Sequence, residues 1–206
     1  MYLHSIYDTN KNNLNFNIEI DIKNDTFEFD KYINCANLNI YESDENFDEI
    51  NPDYSKLIAR IEVILFDYDL IESDGEDIID IADSIKSDVY SSIFELINSK
   101  HFDEEELYIG AVCYLERFYI MPKYRNKGIG KYLINNLCDL IKYHSNIDIE
   151  YIVACLKPLN YINNKWVDNP DADSMKKKMV KFYKKNFFKQ IGRKNYYVFK
   201  KEYFLE

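Results

Sequence analysis

Residues Glu116–Lys131 read Glu-Arg-Phe-Tyr-Ile-Met-Pro-Lys-Tyr-Arg-Asn-Lys-Gly-Ile-Gly-Lys. Phe118, Tyr119, Ile120 and Met121 are bulky and strand-prone. Pro122 has no N–H to give a ladder and ends the strand. From Ile129 the apolar period changes: Ile129, Leu133, Ile134, Leu137, Leu140 and Ile141 fall on one helical face. The turn between holds Arg125, Asn126, Lys127, Gly128 and Gly130, with Lys131 just beyond. The chain has five glycines, so two of them one residue apart mark a place where the backbone turns tightly or is closely approached. A helix N-terminus offers unpaired N–H donors and a positive dipole end. Strand, basic glycine turn and helix together make an anion cradle. The bland alternative is a charged turn with convenient glycines.

Spacing narrows the ligand. A dinucleotide fingerprint needs a third glycine where Leu133 stands. A P-loop needs glycine in place of Arg125 and a hydroxyl residue in place of Tyr132. What is present is Arg-x-x-Gly-x-Gly after a strand ending Ile-x-Pro, with Arg125, Gly128 and Gly130 at its defining places. This arrangement resembles the acyl-CoA-binding signature of the GNAT family of N-acetyltransferases. A second stretch, Phe182-Tyr183-Lys184-Lys185-Asn186-Phe187-Phe188, is similar to the family's later helix, where a tyrosine is followed by Gly-Phe. Tyr183 and Phe188 match it. Phe187 replaces the glycine, and Asn186 is expected to supply the left-handed turn instead.

The wider chain sets bounds. Its 206 residues suit a single GNAT-like domain, with residues 1–56 a strand-rich acidic portion and 57–206 the acyl-CoA-binding core. Nineteen Tyr and thirteen Phe favour a sheet-rich interior. No segment approaches a membrane span or a signal peptide, and Cys35, Cys113, Cys138 and Cys155 lack metal or redox spacing. A cytoplasmic protein without a metal site is expected. Net charge is −10, but residues 1–121 carry −20 and residues 122–206 carry +10. The total argues against a nucleic-acid partner. The basic half suits a polyanionic coenzyme, and the acidic half a cationic substrate such as an amine.

Periodicity predicts the elements. Strands are expected at Leu14–Asp21, Asn37–Tyr41, Leu57–Phe66, Tyr108–Met121, Ile149–Leu156 and from Asn195 to about Phe204. A hairpin is expected at Asn24-Asp25, with Phe27 and Phe29 alternating beyond it. One long helix is expected from Asp77 to about Asn98, others at Ile129–His144 and 174–186, and a polar loop from Pro158 to Pro170. The fold class is α/β: a mixed, mainly antiparallel sheet flanked by helices.

The resemblance implies direct attack of an amine on the thioester of acetyl-CoA. Backbone N–H groups from Lys127 through Ile129 to Lys131, with Arg125, would hold the pyrophosphate. The N–H of Ile120 or Met121 would face the pantetheine or the oxyanion. Tyr183 would protonate the leaving thiolate. For the base, Glu116 is the best carboxylate, on the strand face of Phe118 and Ile120, with Tyr114 as a substitute on that face. An ion-paired edge-strand glutamate is the competing reading. Trp166 is expected to anchor its loop. A small-molecule amine or a protein amine fits as acceptor. The rival to an enzyme is a non-catalytic module that binds coenzyme or protein.

Overall fold

The computed structural model describes residues 2–3, 16–23, 29–42, 53–103, 110–163, 165–192 and 195–201. The expected turn at Asn24-Asp25, the acidic loop beyond Glu42 and the end of the last strand lie outside them in whole or in part. The strands are β1 (Tyr2–Leu3), β2 (Phe16–Lys23), β3 (Ile33–Glu42), β4 (Leu57–Phe66), β5 (Ala111–Ile120), β6 (Ile149–Cys155), β7 (Leu159–Ile162), β8 (Lys165–Asp168), β9 (Lys189–Ile191) and β10 (Tyr196–Lys200). The helices are α1 (Tyr68–Ser73), α2 (Ile78–Ile85), α3 (Ser87–Ile97), α4 (Ile129–Asn135), α5 (Leu137–Ser145) and α6 (Ala172–Lys185).

Eight strands form one sheet in the order β1-β2-β3-β4-β5-β6-β10-β9, and β7 and β8 form a separate hairpin. Every neighbouring pair in the large sheet is antiparallel except β5 and β6. Parallel neighbours need a crossover, and α4 and α5 supply it. The mixed, mainly antiparallel α/β class is therefore present.

Strict alternation sends each strand's side chains to two layers. On one face Leu38, Ile61, Leu115 and Ile152 pack with Leu133, Leu137 and Leu140 of α4 and α5 and Tyr183 of α6. On the other face Ile64, Phe66, Tyr114 and Val153 pack with Ile81 of α2 and Val89 and Ile93 of α3. These helices cover only part of that face. Farther along β4 and β5 the same face carries Arg60, Glu62 and Tyr119, and there the β7–β8 hairpin lies over it through Tyr161 and Trp166. The boundary between these two covers runs across the middle of β5.

Several expectations change. The single helix from Asp77 to Asn98 is two helices, broken where Lys86 is extended at φ −176° and ψ 156°. The period survives the break because both helices lay their apolar stripe on one sheet face. Helix α1 was not anticipated; six residues are too few to show a period, although Asp67 caps it by accepting from Leu70 N at 3.1 Å. The expected polar loop is the hairpin. Asn163 stands at its turn with φ +51°, a left-handed conformation that Asn tolerates.

Candidate active site

β5 changes character at Glu116. Opposite β4, Leu115 pairs with Val63 and Arg117 with Glu62, so Glu116 is the extra residue of a bulge. Opposite β6, pairing runs only from Ala111 to Leu115. Beyond Leu115, no described strand borders that edge. The direction of its N–H groups follows from one bond. Met121 N donates to Ile58 O of β4 at 2.8 Å. Successive residues of a strand turn their N–H groups to opposite edges, so that of Ile120 points to the open side. The two amides proposed to face a thioester are thus separated: Ile120 is open, and the Met121 N–H is committed to the sheet.

The glycine turn begins at the end of this open edge. Pro122–Tyr124 form a short 3-10 turn, Asn126 takes φ +62° and Gly128 takes φ +82°. A Cβ on Gly128 would meet nothing within 4 Å, so its glycine is required by conformation and not by space. Gly130 is the reverse. A Cβ there would stand 3.2 Å from Phe182 Cε2, so this glycine lets the first turn of α4 settle against α6. The first helical bond is Tyr132 N to Gly128 O, which leaves the N–H groups of Ile129 to Lys131 before any helical acceptor. The Ile129 side chain itself is buried in the core.

Arg125 ties the turn to the strand. Its Nε donates to Ile120 O at 2.8 Å, and its guanidinium lies over the Tyr119 ring at 5.0 Å. Its Nη2 is buried and has no partner, an open cationic donor beside the turn. Lys127 and Lys131 are exposed around it. These groups fit the phosphates of an acyl-CoA.

Behind the open edge is a narrow crevice of about 20 Å³, roughly one water in size. Glu116, Phe118, Cys155, Trp166, Met179 and Tyr183 are among its lining residues. Tyr183 is buried, its ring 4.8 Å from that of Phe188 and 5.6 Å from that of Phe182. Burial pushes its phenol pKa well up, so it stays protonated at neutral pH. The end of α6 corrects an expectation. Asn186 has φ −107°, and Phe187 itself takes the left-handed turn at φ +66°.

Glu116 also lines the crevice, and its carboxylate is ion-paired with Lys86 and lies 3.7 Å from Arg117 Nη2. Tyr114 does not share the face of Phe118, as expected from simple alternation. The bulge shifts the parity, so Tyr114 joins the helix-covered layer while Phe118 and Ile120 pack on the opposite one. The competing reading of Glu116, paired with Arg117 or a lysine, is present, with Lys86 as the lysine; sequence reasoning missed Lys157 and the place of Arg117 in the crevice. Arg117 stood next to Glu116, but only the bulge brings it to the crevice. Trp166 has the anchoring place expected: its Nε1 donates to Glu62 Oε1 at 3.0 Å, and its ring packs on Tyr161 and Tyr119.

Comparison with known proteins follows from this geometry. The acetyltransferase (GNAT) family model matches residues 94–162, which span α3's end, β5, the glycine turn, α4, α5, β6 and β7. No curated protein matches the chain by sequence. The structure is similar to that of a KacTA–DNA complex, at 10% identity and TM-score 0.42, covering 90% of this chain and 94% of the other. It is similar to AtaT complexed with acetyl-methionyl-tRNAfMet, at 10% identity and TM-score 0.41, covering 92% and 98%. It is also similar to Arabidopsis thaliana NAA60 in complex with acetyl-CoA, at 16% identity and TM-score 0.35, covering 80% and 76%. The exclusion of nucleic acid is corrected by these complexes, two of which hold DNA or tRNA. Total charge does not support that exclusion, because the electrostatic field is local and residues 122–206 carry +10. Over residues 94–162 the chain carries the signature of the GNAT acetyltransferases.

Proposed function

We propose that this chain, with its GNAT signature, is a cytoplasmic acetyl-CoA-dependent N-acyltransferase that works by direct attack of an amine on the thioester. One observation carries the reading: the open edge of β5 ends in the Arg125–Lys131 turn and borders the crevice that holds a protonated Tyr183. The acyl donor would lie along the open edge with its phosphates at the turn. Arg125 Nη2 and the N–H groups of Gly128 to Lys131 are the donors for them.

In the reaction a C–N bond forms and the C–S bond breaks. The Ile120 N–H would stabilise the developing oxyanion. Tyr183 would give its proton to the departing sulfur, and Glu116 would take the proton leaving the amine, directly or through a water. Lys86 and Arg117 hold the Glu116 carboxylate at the crevice, and its ion pair must loosen as it receives the proton.

The test is calorimetric titration with acetyl-CoA, coenzyme A and ATP, followed by thiol release across a panel of amines. Both coenzymes are expected to bind and ATP is not. Gly128→Asp should weaken acetyl-CoA binding at least about tenfold, the effect of about 1.4 kcal/mol of repulsion and backbone strain. Unchanged affinity would remove the site. Coenzyme binding without thiol release on any amine would favour a non-catalytic binding module.

A further inference from the structure

The crevice reaches the sheet face between α3 and the β7–β8 hairpin, opposite the layer that carries α4 and α6. Four cations stand on or near this side. Lys86 is ion-paired with Glu116, Lys157 with Asp88, and Arg60 with Glu62 at 2.7 Å. Arg117 is different. It has only a long contact with Glu116, whose nearer partner is Lys86, and its Nη1 donates to the Glu116 backbone carbonyl at 2.9 Å. Its Nε is buried with no hydrogen-bond partner among the described residues. The guanidinium is held in place, with its carbon 5.7 Å from the centre of the Trp166 ring. Arg117 lines the crevice where a substrate must enter, with Nε open and Nη2 held only by the 3.7 Å contact with Glu116. A buried cationic donor left unsatisfied is costly to the fold unless a ligand meets it.

We propose that Arg117 receives a carboxylate of the acyl acceptor, so that the acceptor is an amine bearing a free carboxylate close to the amino group. This rests on the acyl-transfer reading. The Nε and Nη2 edge of one guanidinium suits the two oxygens of one carboxylate, whereas a phosphate brings a third oxygen that this edge leaves unmet. The Lys86 pair keeps the Glu116 charge from opposing the incoming anion. Trp166 fixes Arg117 from the hairpin side, so the specificity comes from a residue preorganised before substrate arrives.

The test compares free amino acids with their amides, esters and aminophosphonate analogues as acceptors, by thiol release from acetyl-CoA. The free acids should exceed the amides and esters at least tenfold in kcat/KM. Arg117→Met should bring that ratio to about one, mainly through KM for the acid, and Arg117→Lys should give an intermediate ratio. Calorimetry with acetyl-CoA and thermal unfolding accompany each variant. If Arg117→Met does not fold, the wild-type ratio and Arg117→Lys decide. Equal use of acid and amide by the wild type, a preference for esters or phosphonates, or an unchanged ratio in the folded variant would overturn the assignment while acyl transfer stands. A wild-type protein that does not bind acetyl-CoA would bring down the acyl-transfer reading and this one with it.

Discussion

The two halves of β5 both carry bulky apolar residues but have opposite surroundings, and the second adds the charged pair Glu116-Arg117. Ala111–Leu115 is at most 3% exposed at every residue and is laddered on both edges. Glu116–Ile120 is laddered to β4 alone, and of its five residues only Tyr119 is buried. Phe, Tyr and Ile in the second half are as apolar as Val, Tyr and Leu in the first. The hydrophobicity of these residues alone therefore does not separate a strand that holds the fold from one left open for a ligand. The ladder does, and the bulge at Glu116 is where the two meet.

If the open half is where chemistry happens, the α6 tyrosine lining the crevice beside it should matter most for rate and little for stability. Tyr183→Phe is expected to lower kcat by about 10²-fold or more while acetyl-CoA affinity stays within about twofold. The burial that raises its phenol keeps the proton in place as pH rises. No loss of kcat belonging to Tyr183 should appear below about pH 10, the ordinary tyrosine value. Wild-type turnover would return Tyr183 to the core.

The closed half should answer in the other currency of measurement, stability. Leu115→Ala removes a buried side chain from the main core and should destabilise by about 2–5 kcal/mol in denaturant unfolding. Phe118→Ala, at a half-buried position stacked 5.7 Å from Phe182, should cost less stability and weaken coenzyme binding more. Equal stability losses would mean the two halves are not distinct.

Much of this was legible in the sequence, and the rest was not for identifiable reasons. Gly128 and Arg125 announced the turn because few backbones need that spacing. The face of Tyr114 was misjudged because a bulge leaves no mark in residue type: one extra residue reverses the parity of everything before it. The β7–β8 hairpin escaped because its strands have four residues each, too short for alternation to register. The broken helix at Lys86 read as continuous because the period on both sides stayed in phase. Arg117 lay inside the quoted stretch, and its significance depends on which partners it lacks, which only three dimensions can show.

The smallest expected effect concerns the turn that follows Tyr183. Phe187 is non-glycine at φ +66° and 46% exposed, where the related family pattern has glycine. A left-handed conformation costs an ordinary L-residue roughly 1–2 kcal/mol. Phe188 N donates to Tyr183 O at 3.1 Å across this turn, so the conformation is fixed by the backbone and not by the Phe187 ring alone. Phe187→Gly should therefore stabilise the protein by about 0.5–1 kcal/mol, the strain relieved less the added freedom of the unfolded chain. It should leave kcat unchanged, because the turn that places Tyr183 beneath the open edge is retained. A loss of stability would show that the half-exposed ring contributes more packing than its backbone costs. A loss of turnover at unchanged stability would show that the Phe187 side chain takes part in the site that the open half of β5 borders.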